Sequence, residues 1–231
     1  MDSKNTLADF VEWDVRNWAV ALDFWKTHSS QGLSGRSVLE VGCGYGGLTL
    51  WLVSQGAKVV CSDVNGPLER AVNKHRAKGI SHLVQYQAID ATNIPYTEQF
   101  DVVLFKSILG GIGQPHPGSK ELQAKAILEM HKALKKGGEL FFAENLTASP
   151  LHKFLRRRFI KWGNTWRYPT LEEMQEFLSP FSEINYTTIG FAGTFGRTER
   201  QRNILGRADR MLIDRVVPVK WKYIIAGVAR K

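Results

Sequence analysis

The chain has 231 residues, 43% of them hydrophobic and 23% charged, which is the make-up of an ordinary globular protein with room for one core. No apolar run reaches the roughly 18 residues of a membrane-spanning helix, and the opening Met1-Asp2-Ser3-Lys4-Asn5 lacks the order of a signal peptide, so a cytoplasmic location is expected. The net charge of +9 is unevenly placed: residues 1–150 hold 15 basic and 15 acidic side chains, residues 151–231 hold 16 and 7.

Residues 7–28 read as one helix. Val11, Val15, Trp18, Leu22 and Trp25 recur at helical spacing, and Trp13, Val20 and Phe24 add a second apolar stripe, so burial on two sides is expected. "SSQGLSG" (29–35) ends it as a loop. Strands and helices then alternate: strand 36–41, helix 46–55, strand 57–63, helix 66–78, strand 81–90, strand 99–107, helix 119–135 and strand 138–145. The strand interiors are nearly continuous apolar runs, the pattern of a parallel sheet covered on both faces. Ligands of such sheets bind at the carboxyl ends of the strands.

Beyond residue 150 the rhythm changes. "LHKFLRRRFIKW" is basic, with aromatic and aliphatic residues interleaved. Thr170 and Glu173 form a capping-box pattern ahead of a helix over 170–178. "FSEINYTTIGF" and "VKWKYIIAGVARK" read as the last two strands, and 192–218 as a long, basic, partly helical connection. One domain over 1–231 is expected.

The stretch "SVLEVGCGYGGLTLWL" (37–52) carries the first chemical signal. Gly42, Gly44 and Gly47 satisfy G-x-G-x-x-G, and Asp63 ends the next strand, which suits a dinucleotide. Glycine lets a ligand approach the backbone, and an acid at that strand end can accept from two ribose hydroxyls. Two further acids favour a different ligand. Glu40, at the strand tip, would repel a pyrophosphate and suit a cationic amino-acid group. Asp90, in "AIDATNIP", can accept from an adenine amino group. Cys43, between two glycines, reads as a packing residue. Cys43 and Cys61 are expected to be reduced thiols, and no Cys/His spacing suggests a metal.

At these residues the chain resembles the class I S-adenosylmethionine-dependent methyltransferases. "LEVGCGYGG" is similar to that family's E/D-x-G-x-G-x-G motif, with Glu40, Gly42, Gly44 and Gly46 in place. Asp63 falls on its ribose-binding acid and Asp90 on its adenine-contacting acid. "LKKGGELFFAEN" is similar to its L-K-P-G-G turn, with Lys136 where proline is usual. The resemblance covers 36–145 and implies a Rossmann-like doubly wound α/β sheet of seven strands, the last antiparallel. It implies S-adenosyl-L-methionine held by Glu40, Gly42, Cys43, Gly44, Gly46, Asp63, Val64, Asp90 and Ala91, with Lys106 as a further cofactor-side contact. Residues 150–218 would then be substrate-recognising insertions.

Methyl transfer to a hydroxyl needs a base near the fourth and fifth strand ends. His116, between Pro115 and Pro117, is the first candidate and Glu144 the second. The fourth strand ends Phe105-Lys106-Ser107-Ile108, without the N/D-P-P-aromatic tetrapeptide of base-amino methyltransferases and without a Pro-Cys pair, so nucleic acid is the less favoured acceptor. If 151–162 is a helix, Leu151, Phe154, Leu155 and Phe159 share one face while Arg156 and Arg157 turn to the other. Such a segment suits an anionic membrane or a lid whose arginines hold an acidic substrate. Arg156, Arg157, Arg158 and Trp162 are therefore the expected substrate contacts. The expected acceptor is an anionic small molecule or glycan, lipid-linked in one version, and "AENLTASPLHKFLRRRF" is similar to bacterial methyltransferases of surface-polysaccharide type. An RNA methyltransferase and a non-catalytic binding module are the alternatives.

Overall fold

A computed structural model describes residues 6–112, 118–159 and 166–231. Among these, the strands are β1 (Ser37–Val41), β2 (Lys58–Asp63), β3 (Val84–Ala88), β4 (Phe100–Lys106), β5 (Leu134–Asn145), β6 (Glu183–Ile189) and β7 (Ile224–Arg230). They form one seven-stranded sheet in the order β3-β2-β1-β4-β5-β7-β6. The strands from β3 to β5 are parallel neighbours, while β7 runs antiparallel to both β5 and β6. This is the doubly wound α/β sheet that the strand–helix alternation and the resemblance imply.

Alternate residues of each strand feed opposite faces. Val103 and Phe105 of β4 pack with α6 (Ser119–Ala133) and α8 (Leu171–Phe177), while Val102 and Leu104 pack with α2 (Val15–His28) and α3 (Gly47–Ser54). Trp25 of α2 is fully buried and donates its indole N–H to the carbonyls of Phe142 and Gly227. That satisfies the one polar atom of a large core side chain. The capping box of Thr170 and Glu173 opens α8 as its sequence pattern predicts.

The helix expected over 7–28 is two. α1 (Leu7–Val11) and α2 are separated by Glu12 and Asp14, both at positive φ (73° and 44°). Such conformations cost about 1–2 kcal/mol each for an L residue, and tertiary bonds offset them. The Asp14 carboxylate accepts from the Tyr223 hydroxyl, and Glu199 accepts from the backbone N–H groups of Asp14 and Val15 at 2.9 and 2.7 Å. The break lets α1 cross the start of α3. A Cβ on Gly47 would come within 2.2 Å of the Phe10 carbonyl oxygen, so only glycine permits the approach.

The segment over 150–159 is helical, as α7 (Pro150–Phe159), but it docks by the face opposite to the one its apolar residues suggest. His152 and Arg156 are buried, whereas Leu151, Phe154 and Phe159 are 48%, 64% and 62% exposed. The reason is polar. Arg156 donates to the carbonyls of Leu146 and Thr147 and lies over the Tyr168 ring at 4.0 Å. The His152 Nε2–H donates to the Phe191 carbonyl, and the Ser149 hydroxyl donates to Nδ1. These bonds finish the carbonyl ends of the strand-edge loops and hold the helix down. Arg156, expected as a substrate contact, is thereby engaged by internal partners. Arg157 and Arg158 remain on the exposed face with Lys153.

Candidate active site at the strand tips

The carboxyl ends of β3, β2, β1 and β4 lie side by side and present the expected residues in that order. Between β1 and α3 the chain turns through Gly42, Gly44 and Gly46, all at positive φ. At Gly46 the turn is held from behind: the His75 Nε2–H donates to the Gly46 carbonyl at 2.8 Å, and the Tyr86 hydroxyl donates to Nδ1 at 3.0 Å. Burial lowers the His75 pKa, which keeps the imidazole neutral for both bonds. On the front, a Cβ added to Gly44 would meet no atom within 4 Å. The turn therefore has a packed back and an open front, which is where a ligand can reach its amides.

Asp63 closes the side of that opening. Its Oδ2 accepts from the Gly44 N–H at 3.1 Å and its Oδ1 from the Val64 N–H at 2.9 Å. Asp90, at the neighbouring strand end, is exposed and accepts from the Thr92 N–H and hydroxyl at 2.8 Å each. Val64 is 60% exposed beside Asp63, and Ala91 is buried behind Asp90. Cys43 faces inward with Cys61 and Val84. The contact with Cys61 and burial both push its thiol well above the ordinary range, which keeps it protonated.

Two of the expected site residues are buried and bonded within the protein. Glu40 does not face the opening: it is 2% exposed and accepts from the Thr49 hydroxyl of α3. Burial pushes its carboxyl up to about 8, so at neutral pH it is protonated and pins α3 to β1 from beneath the turn. Glu144 is fully buried and accepts from the N–H groups of Ile108 and Leu109 at 2.9 and 2.8 Å and from that of Asn145 at 2.7 Å. A carboxylate so enclosed positions the turn after β4 and is not free to meet an acceptor. Its pKa, raised to about 7 by burial, reflects that enclosure. His116 and Trp162 lie outside the described residues.

Glu40 yields a stability prediction. Between the ordinary glutamate value of 4.5 and about 8, the native state keeps a proton that the unfolded chain releases. Stability therefore falls as pH rises through that window. Glu40→Gln keeps an acceptor for Thr49 and removes the penalty. It is expected to melt close to wild type at pH 5 and roughly 10–20 °C above it at pH 9, a difference read directly from thermal denaturation curves.

Lys106 is the site group whose surroundings the sequence did not reveal. It ends β4, one position beyond the Val41–Phe105 pairing, and so stands beside Gly42. Its Nζ lies 4.5 Å from the Trp18 ring centroid and 5.6 Å from that of Trp13. Burial pulls the ammonium down to about 8, against the raising influence of Glu12, Glu144, Glu40 and Asp14. Next to it, Asn145 donates to the Ser107 hydroxyl at 2.6 Å, with Ser107 at φ 55°. Trp13 and Trp18 read as core positions in the sequence; only the break between α1 and α2 brings them over the β4 tip.

Comparison with known proteins agrees with this geometry. Residues 39–142 match the family model described as a methyltransferase domain. That segment holds the glycine turn and both strand-end acids. Over these residues the chain is similar to a methyltransferase domain. The ubiquinone biosynthesis O-methyltransferase of Pseudomonas syringae pv. tomato is 35% identical over 114 residues, which cover 48% of this chain and 45% of that one. The chain thus spans a little under half the length of that curated relative. Phosphoethanolamine N-methyltransferase 2 of Haemonchus contortus, solved with S-adenosyl-L-methionine, superposes with a TM-score of 0.64 at 17% identity, over 93% of this chain and 52% of that one. The [4+2]-cyclase SpnF superposes with a TM-score of 0.62 at 21% identity, over 92% and 80%. These two share the methyltransferase fold with this chain. Among the described residues there is no cluster of His, Cys, Asp and Glu able to hold a metal, and no helix long and apolar enough to cross a membrane.

Proposed function

We propose that this protein is a methyltransferase that transfers a methyl group from S-adenosylmethionine to the oxygen of a small anionic acceptor. The observation that carries the reading is the open front of Gly44 flanked by the carboxylates of Asp63 and Asp90. Asp63 would take the ribose hydroxyls, Asp90 the adenine amino group, and the amides of residues 42–46 the amino-acid end. When bound, the cofactor supplies a methyl group on a sulfonium, which leaves without needing a proton. The protein's tasks are to hold the acceptor in line and to receive its hydroxyl proton.

Lys106 is the proposed receiver of that proton. A neutral amine with a conjugate pKa near 8 is better matched to a phenolic hydroxyl, near 10, than to an aliphatic alcohol. The tryptophans beside it suit an aromatic acceptor. The curated relative named above is an O-methyltransferase of ubiquinone biosynthesis, and that name supports oxygen as the target. It lends nothing to the polysaccharide expectation. The test is calorimetric titration with S-adenosylmethionine, followed by transfer assays on hydroxybenzoates. A chain that ignores S-adenosylmethionine and binds a nicotinamide dinucleotide would overturn the proposal.

A lipid-linked acceptor is favoured by the outward face of α7. Phe154 and Phe159 stand exposed between Lys153, Arg157 and Arg158, the composition of a helix that rests on an anionic bilayer. The proposed location is the cytoplasm, peripheral to the inner membrane face. The protein is expected to sediment with phosphatidylglycerol vesicles and not with phosphatidylcholine ones, and Phe154→Asp should abolish sedimentation. Retention of that variant would refute the membrane contact. The basic excess in residues 151–231 also fits RNA, in which case affinity for an RNA should collapse between about 50 and 200 mM salt.

A further inference from the structure

Between α7 and the β6–β7 connection lies a cavity of about 490 Å³, within the usual range for small-molecule sites. Its wall includes His152, Arg156, Phe159, Phe195, Arg197 and Arg202, and among the described residues no carboxylate lines it. The geometry points to this cavity as an acceptor subsite for an acidic group, carboxylate or phosphate, held by Arg197 and Arg202 on an aromatic-walled floor. This inference rests on the methyl-transfer reading for the reaction at Lys106 and not for the binding of the acidic group.

The wall residues divide by what they have left to offer. Arg156 contributes positive potential but is committed to two carbonyls and the Tyr168 ring. His152 has both ring nitrogens bonded, and burial pulls its pKa down to about 4, so it is a neutral ring face, 4.6 Å from the Phe195 ring. Arg202 donates Nε–H to the Gly196 carbonyl at 3.0 Å, which fixes the guanidinium. Its Nη1 is 3.6 Å from Glu199, a carboxylate that already accepts the Asp14 and Val15 amides. Arg197 is exposed, and its backbone N–H is anchored by Gln201 at 2.9 Å. Two guanidiniums on one rim suit planar oxyanions, which they can engage with paired N–H bonds.

One wall residue, Arg202, also approaches the aromatic ring beside the proposed reaction centre. The Arg202 guanidinium lies 5.7 Å from the Trp13 ring centroid, and Lys106 Nζ lies 5.6 Å from the same centroid. Trp13 thus lies between Arg202 of the cavity wall and Lys106 at the β4 tip. An acceptor whose acidic group sits against Arg197 and Arg202 would lay its ring along Trp13, with a hydroxyl directed to Lys106.

The probes are phenyl phosphate, benzoate, inorganic phosphate and benzyl alcohol, titrated calorimetrically into the protein with and without S-adenosylhomocysteine. Phenyl phosphate or benzoate should bind at least tenfold more tightly than benzyl alcohol, and which of them binds better identifies the favoured oxyanion. Inorganic phosphate should bind more weakly than phenyl phosphate, because it lacks the ring. Arg197→Ala and Arg202→Ala should each weaken the aromatic anion about tenfold, the loss of one charge-assisted contact, with S-adenosylhomocysteine affinity unchanged. Equal binding of benzyl alcohol, or wild-type anion affinity in both variants, would overturn the subsite. Arginine-dependent binding of phenyl phosphate by a protein indifferent to S-adenosylhomocysteine would support the subsite and sink the methyl-transfer reading instead.

Discussion

Asp63→Ala is expected to weaken S-adenosylmethionine binding by about 100- to 1,000-fold. The carboxylate stands at the β2 tip, where two ribose hydroxyls would each give it a charge-assisted hydrogen bond worth about 1.5–3 kcal/mol. The loss has a second source. Asp63 accepts from the Gly44 N–H, so it also shapes the open part of the glycine turn. Asp63→Asn separates the two contributions: it keeps one acceptor oxygen for Gly44 and removes the charge. Its affinity should fall between the alanine variant and wild type. Calorimetry on folded, monodisperse protein reads the effect. Unchanged affinity in the alanine variant would remove Asp63 from the cofactor site.

Lys106→Met is expected to slow turnover by about 100- to 10,000-fold, the usual range for loss of a positioned base, while cofactor affinity changes little. Methionine retains the length and the apolar stem that packs against Trp13 and Trp18, so the fold should survive. The pH profile supplies the sharper readout. The base must be neutral, and burial holds the Lys106 ammonium near 8. Wild-type kcat/KM should therefore rise with pH through about 8 and level off above it. A bound sulfonium would move the same limb of kcat to lower pH, because a second cation further disfavours the ammonium. The limb should be absent from Lys106→Met and not restored by Lys106→Arg, since arginine stays protonated. A profile shared by wild type and Lys106→Met would reject the role. His116→Ala, measured alongside, tests the other candidate base: a limb lost with His116 and kept in Lys106→Met would assign the proton to the histidine.

The two predictions differ in how far each was legible before the fold was known. Asp63 announces itself, because an acid at the end of an apolar run, about 20 residues past a glycine turn, has a local reason to be there. Lys106 does not. Its chemistry depends on Trp13, Trp18, Glu12 and Asp14, which lie some 90 residues away and reach it only because α1 and α2 break apart. Glu40 and Glu144 are legible as strand-end acids, yet whether such an acid faces ligand or backbone turns on Thr49 in one case and on the amides of Ile108 and Leu109 in the other.

By itself the sequence determined the sheet and its ligand edge. Apolar strand runs, helix periodicity, the glycine turn and the capping box at Thr170 are all set within short windows, where local sterics and burial decide. Tertiary structure alone decided which way side chains face. α7 is amphipathic, but its docked side was chosen by Arg156 and His152, because the carbonyls of Leu146, Thr147 and Phe191 needed donors and apolar side chains have none to give. The same holds for α2, whose start is fixed by Glu199 and Tyr223 from the far end of the chain. Hydrogen bonds between residues distant in sequence leave no periodic trace, so charge, orientation and proton affinity at the site became readable only once the chain had closed on itself.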